Sequence, residues 1–477
     1  MQPHLIEFIT VAFGLVLLMF EAFTDGKKSR LGLIAAGGLT AILVLQCTSP
    51  VGAAVPDWMS RFYTYDSLAR FYKIIALVST ILVLLMAVDF KSVLSRFTSG
   101  DDSESATGEF YCLPIFACAG LMWMASANDL VSIFVALELV TITFYVMVAY
   151  MRRNAGSLEA GVKYLILGAL STGFLVYGIA WIFGSLHTTN LDLFPAALQA
   201  EGLNLPFLLF GLAMMVIALG FKIGAAPMQL WIPDVYQGAP TPITAYMSVA
   251  SKAAGFIVMW KILGPFLATD APTHSQLVLI LLIMAGATLV YGNFAAIQQN
   301  NFKRLLAYSS IAHAGFLIMG IATGDFISVS FYLGTYLLMT FSAFFVLAIV
   351  RTSEESDSID AFDGLGQRSP LLAGLLTVAM AALAGIPLTA GFWGKFFIFK
   401  SALAAELSWW LIIIAFISVA AGFYYYLKVV KAMYWNAPRS EKAITIPLIS
   451  KVVLIVLTAA ILILGIYPQP IMDLLGQ

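Results

Sequence analysis

The sequence predicts an all-α, polytopic membrane protein of about fourteen transmembrane helices, and three observations carry that prediction. Of 477 residues, 61% are hydrophobic and only 11% charged, with a mean hydropathy of +0.93; a soluble chain carries about a quarter charged residues. Apolar runs of the ~20 residues needed to cross a bilayer recur from end to end. The cations between those runs alternate in number from one loop to the next. The start, MQPHLIEFITVAFG, has no basic segment and carries Glu7, so it reads as a retained first span and not as a signal peptide.

The spans fall at 4–22, 31–48, 71–90, 110–125, 130–150, 160–184, 205–236, 241–264, 275–297, 303–323, 326–350, 370–403, 408–434 and 449–467. Loops after odd-numbered spans hold sixteen cations: Lys27, Lys28, Arg30, Lys91, Arg96, Arg152, Arg153, Lys303, Arg304, Arg351, Arg368, Lys428, Lys431, Arg439, Lys442 and Lys451. Loops after even-numbered spans hold Arg61 and Arg70, with Lys73 at the mouth of the third span. The positive-inside rule makes the odd loops cytoplasmic and puts both termini on the periplasmic side of a bacterial inner membrane. One missed helix would scramble this sorting. The chain, 1–477, is a single transmembrane domain, and its longest connections are about 20 residues. Two of these, KSVLSRFTSGDDSESATG and RTSEESDSIDAFDGLGQRS, are acidic and Ser-rich, as solvated loops or subunit contacts are.

Inside the spans remain Glu138, Lys163, Lys222, Lys252, Lys261, Lys395 and Lys400, with the titratable His313. A charge at a helix centre costs about 2.5–3.5 kcal/mol on insertion scales, so such residues face the bundle interior and normally have a function. Lys163 and Lys261 are near span ends and can snorkel to water. Lys400 is toward the outer end of span 12, which leaves Lys163 and Lys400 as accessory groups. Glu138, Lys222, Lys252, His313 and Lys395 are central. Desolvation penalises the charged form of each, which suits them to exchange protons near neutral pH. The sequence offers no Ser/His/Asp set, no phosphate-cradling glycine loop and no ligand cluster for a metal or haem, and nothing in it points to nucleic acid. Cys47, Cys112 and Cys118 lie in apolar stretches without a CxxC and read as buried small hydrophobes.

Spans 7 and 12 are unusual. Each is about 32 residues long and carries Gly and Pro at its middle: Gly224 and Pro227 in GFKIGAAPMQLWIP, Gly385, Pro387 and Gly391 in LAGIPLTAGFWGKFFIFK. A mid-helix proline removes a backbone hydrogen bond and clashes with the preceding turn. Two interrupted helices in corresponding positions mark the halves of a transporter. They are five spans apart, an odd number, so the second unit runs opposite to the first. The expectation is two inverted five-helix repeats, 110–264 with the discontinuous helix 205–236 and 275–434 with the discontinuous helix 370–403.

GFKIGAAPMQLWIPDVYQGAPTPITAYMSVASKAAGF resembles the most characteristic stretch of the N-type antiporter-like subunits of respiratory complex I, the proton-pumping NADH:quinone oxidoreductases. ALELVTITFYVMVAY, GVKYLILGALSTGFLVYGIAWIFG, NFKRLLAYSSIAHAGFLIMG and LAGIPLTAGFWGKFFIFKSAL resemble that family's matching segments, so the likeness runs from about 130 to 405. It implies a coupled pair, Glu138 and Lys222, a bridge of Lys252 and His313 between the halves, and Lys395 toward the exit. It also implies that this chain holds no cofactor or metal, with FMN, iron–sulfur clusters, NADH and quinone on other subunits. Its partners would be other membrane subunits of the complex, sister antiporter-like subunits among them, and the lipid bilayer. The short end after span 14, PQPIMDLLGQ, favours the N type over the longest sister subunit. The alternative is the large subunit of a multi-subunit cation/proton antiporter, which would use the same residues without redox coupling.

Overall fold

In hydrocarbon the backbone has no water to bond, so each crossing must close its own hydrogen bonds as a helix. The computed structural model of the chain follows that rule; it describes residues 2–23, 28–52, 55–99, 104, 106–439 and 443–476. Lys27 and Lys442, two of the predicted loop cations, lie outside the described residues. Among the described residues there are helices and three isolated bridges, with no strand.

Among the described residues thirteen helices are long and apolar enough to cross a membrane: α1 (Leu5–Ala22), α2 (Ser29–Thr48), α3 (Ser67–Asp89), α4 (Gly108–Ser126), α5 (Leu130–Val148), α6 (Ala155–Leu186), α7a (Leu205–Ile223), α8 (Thr241–Leu267), α9 (His274–Ile297), α10 (Phe302–Ala322), α11 (Phe326–Glu354), α13 (Trp409–Trp435) and α14 (Leu448–Ile466). A further crossing, α12, is split into two 15-residue helices, α12a (Pro370–Ala384) and α12b (Ala390–Ala404). Thirteen plus the split one match the fourteen expected. α7a is continued past its break by α7b (Trp231–Gly238).

Six crossings begin on an Asp or Asn whose side chain accepts a first-turn amide: Asp66, Asp129, Asn154, Asn204, Asn301 and Asp325. These caps satisfy amides that the helix itself leaves unpaired. They also explain why α6 starts at Ala155, earlier than the expected 160: the asparagine just before it sets the start. Short helices Lys91–Thr98 and Gln469–Leu475 occupy stretches that the sequence reading left as loops.

The loops sort as the charges do. Arg153 N donates to Phe97 O, Phe302 N to Asp357 O, and Ser450 N to Asp89 Oδ2, each joining loops or helix ends that follow odd spans. On the other face Thr64 N donates to Ser126 O and Asn190 Nδ2 to Arg61 O, joining loops that follow even spans. Burial grades inward: α10 is buried throughout its central window and α8 and α11 over 89% of theirs, against 28% for α1 and α6. The centre of the bundle is therefore α8, α10 and α11, which is where Lys252 and His313 are.

The two breaks are built alike. α7a ends at Gly224, with φ 75° and ψ 39°, and Ala225 N turns back to Gly220 O at 2.8 Å. α12a ends at Gly385, with φ 89° and ψ 38°, and Ile386 N turns back to Ala381 O at 3.0 Å. The left-handed residue lets the last amides cap the final carbonyls, and glycine adopts it without a Cβ penalty. Pro227 and Pro387, soon after, cannot continue the helix. The protein satisfies what the caps leave open: Trp231 Nε1 donates to Phe221 O at 3.0 Å, and Ala226 N to Thr288 Oγ1 of α9 at 2.9 Å.

Gly224→Ala would hold an L-residue in the left-handed region and drive its Cβ into Ile232. The expected cost is at least about 1–2 kcal/mol, read as a lower thermal midpoint of the detergent-solubilised protein. An unchanged midpoint would contradict the assigned break.

Candidate functional site

The central charged residues occupy defects in helices. Lys222 is in the last turn of α7a, two residues before the Gly224 stop. Lys252 directly follows a π-helical turn, Met247–Ser251, inside α8. Lys395 is on α12b, but its Nζ reaches back across the break to Leu383 O at 2.9 Å and Ala384 O at 2.8 Å. These are end carbonyls of α12a. An ammonium there meets both unpaired acceptors and the negative end of the helix dipole. Its Nζ also lies 5.6 Å from the centre of the Phe316 ring on α10.

The middle of the row is a hydroxyl network. Lys252 Nζ donates to both the carbonyl and the hydroxyl of Ser310, at 2.5 Å each. His313 is three residues further along α10. Its Nδ1 pairs with Tyr332 Oη at 2.6 Å and its Nε2 with Tyr426 Oη at 3.0 Å. Tyr426 Oη continues to Ser309 Oγ, and Tyr336 Oη bonds Ser248 Oγ in the π-turn at 3.1 Å. The Tyr332 ring lies against Gly394, the neighbour of Lys395. The imidazole is thus held between two phenols, one of them packed at the foot of the Lys395 helix.

The resemblance implies that Glu138 and Lys222 are coupled, and the sequence leaves open whether they touch. Lys222 Nζ donates to Thr141 Oγ1, one turn along α5 from Glu138. Glu138 Oε1 instead accepts from Thr172 Oγ1 of α6 at 2.7 Å. Among the described residues the two form no ion pair. Lys222 and Glu138 are partly buried, whereas Lys252, His313 and Lys395 are buried. From Lys222 to Lys252 the structure offers packing, with Gly255 of α8 set against Ile223 and the Lys222 Cβ, and no direct polar contact.

The accessory residues part from the row. Lys400 is exposed on α12b. Lys163 has a side chain 41% exposed and pairs with Glu159 at 2.7 Å and Asp234 at 2.8 Å. Asp234 also binds Arg304 at 2.9 Å, so Lys163 belongs to a cluster at the basic-loop end. Lys261 donates to Ala127 O at 3.1 Å.

Two loop assignments are corrected. Lys73, expected at the mouth of span 3, is fully buried and paired with Glu7 at 2.5 Å. Lys303, expected in a loop, is 2% exposed and caps α7b through Ala239 O at 2.5 Å and Gln237 O at 3.3 Å. Lys303 is the second residue of α10 and Lys73 the seventh of α3, and a lysine in the first turns of a span can turn inward to a neighbouring helix, which loop counting does not register. Cys112 and Cys118 are buried as expected, but Cys47 is exposed. Among the described residues no three His, Cys, Asp or Glu side chains gather as a metal site. Sequence reasoning missed Thr141, Thr172, Ser310, Tyr332 and Tyr426. Serines and threonines commonly bond their own helix, as Thr141 also does to Leu137 O at 2.6 Å, so a hydroxyl in a span carries no signal by itself.

A family described as NADH:quinone oxidoreductase/Mrp antiporter, TM, matches residues 127–422. NADH-quinone oxidoreductase subunit N of Trichlorobacter lovleyi is 38% identical, over 99% of this chain and 95% of that protein. The chain belongs to the subunit N family. Subunit N of Desulforamulus reducens is 36% identical over 98% of this chain and 96% of its own length. Among solved structures, a chain of respiratory complex I from Thermus thermophilus with bound aureothin superposes with a TM-score of 0.80, at 30% identity and 97% coverage of both chains. A chain of the Mrp complex from Dietzia shares the fold, with a TM-score of 0.83 at 16% identity over 100% of this chain and 97% of that one.

Lys395→Met would leave Leu383 and Ala384 without their donor, at a cost of about 1–3 kcal/mol. Hydrogen exchange across 384–390 should rise, and Lys395→Arg should restore protection. Equal exchange in all three proteins would contradict the capping role.

Proposed function

We propose that this chain is a proton-translocating, antiporter-like subunit of an NADH:quinone oxidoreductase, driven by quinone reduction elsewhere in the complex. The observation that carries the reading is the row of buried and partly buried proton-exchanging groups, each lysine set on a helix defect, in a member of the subunit N family. π-turns and broken helices place polar groups where regular helices cannot. Protons enter from the basic-loop face, taken as cytoplasmic by the positive-inside rule, pass Lys222, Lys252, His313 and Lys395, and leave on the opposite, periplasmic face. Ser310 and the two phenols beside His313 carry the hops that the lysines and the imidazole alone do not span.

Glu138 acts as the electrostatic control. While Lys222 rests on Thr141, its ammonium is held one turn from the carboxylate. Movement toward Glu138 favours the charged lysine, and movement away favours proton release toward Lys252. Because Glu138 is on a partly exposed face of α5, a neighbouring membrane subunit can change that balance. The matched breaks of α7 and α12 support two inverted units, 110–264 and 275–434. FMN, iron–sulfur clusters, NADH and quinone are assigned to other subunits, and sister antiporter-like subunits are the expected membrane partners. The protein is assigned to the bacterial inner membrane with both termini periplasmic. The cation/proton antiporter alternative has the shared fold in its favour, whereas relatives at 36–38% identity over nearly the whole chain favour subunit N.

Lys222→Ala and Lys395→Ala should each cut quinone-coupled proton pumping at least several-fold in vesicles, with the complex still assembled. Full pumping in both would sink the assignment. Thr141→Val removes the resting acceptor of Lys222, along with the hydroxyl's bond to Leu137 O within α5, and should lower pumping less than Lys222→Ala; an equal or larger loss would show that Thr141 has a different role.

A further inference from the structure

A second buried charged cluster lies away from the central row. Glu7 of α1 and Lys73 of α3 are 2% and 0% exposed and 2.5 Å apart. Tyr63 accepts from Lys73 Nζ and donates to Glu7 Oε1 at 3.2 Å, which makes a three-membered bridge. Lys73 Nζ also lies 4.6 Å and 4.8 Å from the ring centres of Tyr63 and Tyr65. Gln46 Nε2 donates to Tyr65 Oη at 2.8 Å, and His4 stands edge-on to Tyr63 at 6.3 Å. Two buried atoms of this cluster, His4 Nδ1 and Gln46 Oε1, have no hydrogen-bond partner among the described residues.

The cluster is at the face opposite the basic loops, because Tyr63 is bridged to Ala127 in the loop after α4. Lys261, at the outer end of α8, donates to the carbonyl of that same Ala127. Lys261 is nine residues, ~13 Å, along α8 from Lys252. Other charged groups nearby include Asp66, which caps α3, Arg70, which turns out to Cys47 O at 2.5 Å, and Asp192, which accepts from Asn128 in the loop after α4 at 2.6 Å. Burial pushes the Tyr65 phenol up to about 12 and the Tyr63 phenol higher, so both keep their protons and can donate.

A buried ion pair is weak evidence for stability, since apolar residues of the same volume usually serve as well. What sets this cluster apart is its geometry, a carboxylate, a phenol and an ammonium joined in one buried chain. We propose that Glu7, Tyr63 and Lys73 form a proton-exchange site at the outer face, separate from the central row, that passes protons between the outer end of α8 and the periplasm. The proposal rests on the pumping function given above. In one turn, the Lys73 ammonium gives a proton to Tyr63 Oη as the phenol's own proton passes to Glu7, which leaves a neutral pair. Glu7 then releases that proton to the outer solution, and Lys73 takes a new one from the α8 side. The charged pair is restored and one proton has moved outward.

The test uses the assembled complex in proteoliposomes, with protons pumped per NADH oxidised as the readout. The variants are Tyr63→Phe, the double variant Glu7→Gln with Lys73→Met, and Lys222→Ala as the reference. The expected result is assembled complex with NADH oxidation retained and pumping yield at least two-fold lower in either cluster variant. Parental yield in both overturns the site. So does failure of the double variant to assemble while Tyr63→Phe pumps fully, since the pair would then be a structural staple of α1. If Lys222→Ala pumps normally, the functional reading itself has failed; if it abolishes pumping while both cluster variants pump fully, only this inference has.

Discussion

Where α7 and α12 stop being helical, carbonyls are stranded in a region that offers them no water. The left-handed glycines close part of that deficit, and side chains close the rest. Trp231 serves the end of α7a, Lys303 the end of α7b, and Lys395 the end of α12a. The same constraint therefore places a cation at the centre of the second half. A lysine that caps a broken helix is held firmly and is also poised, because its protonation state changes how strongly the helix end is held.

The rest of the row follows from α10, the most deeply buried helix. Ser310 and His313 are one turn apart on it, so one helix presents the acceptor for Lys252 and the imidazole between two phenols. Tyr332 comes from α11 and Tyr426 from α13, which ties His313 to both sides of the second half. The first half is looser: Lys222 rests on a hydroxyl and Glu138 on another helix's threonine. The proposed control by Glu138 needs that looseness, since a carboxylate locked against a lysine could not be moved by a neighbour.

Much of this was legible in the sequence. Hydropathy and loop charge gave the crossings, and glycine and proline marked both breaks within a few residues. Insertion cost singled out the charged groups inside the spans, and distance from the span ends set five of them apart as central. Three features were not legible, for physical reasons. Lys73 and Lys303 are near span ends, and whether a lysine there turns to water or to a neighbouring helix depends on packing. The π-turn before Lys252 leaves no mark in hydrophobic periodicity. The offset of Glu138 from Lys222 depends on the rotation of α5 against α7a, which residue spacing on separate helices does not set.

The central claim is that Lys222, Lys252, His313 and Lys395 form one continuous proton path. The most direct measurement is a density map of this chain within its complex that resolves ordered water during turnover. The account predicts water chains joining Lys222 to Lys252 and His313 to Lys395, with Ser310 and the His313 phenols bridging the middle. Dry, apolar packing across either gap in every observed state would contradict it.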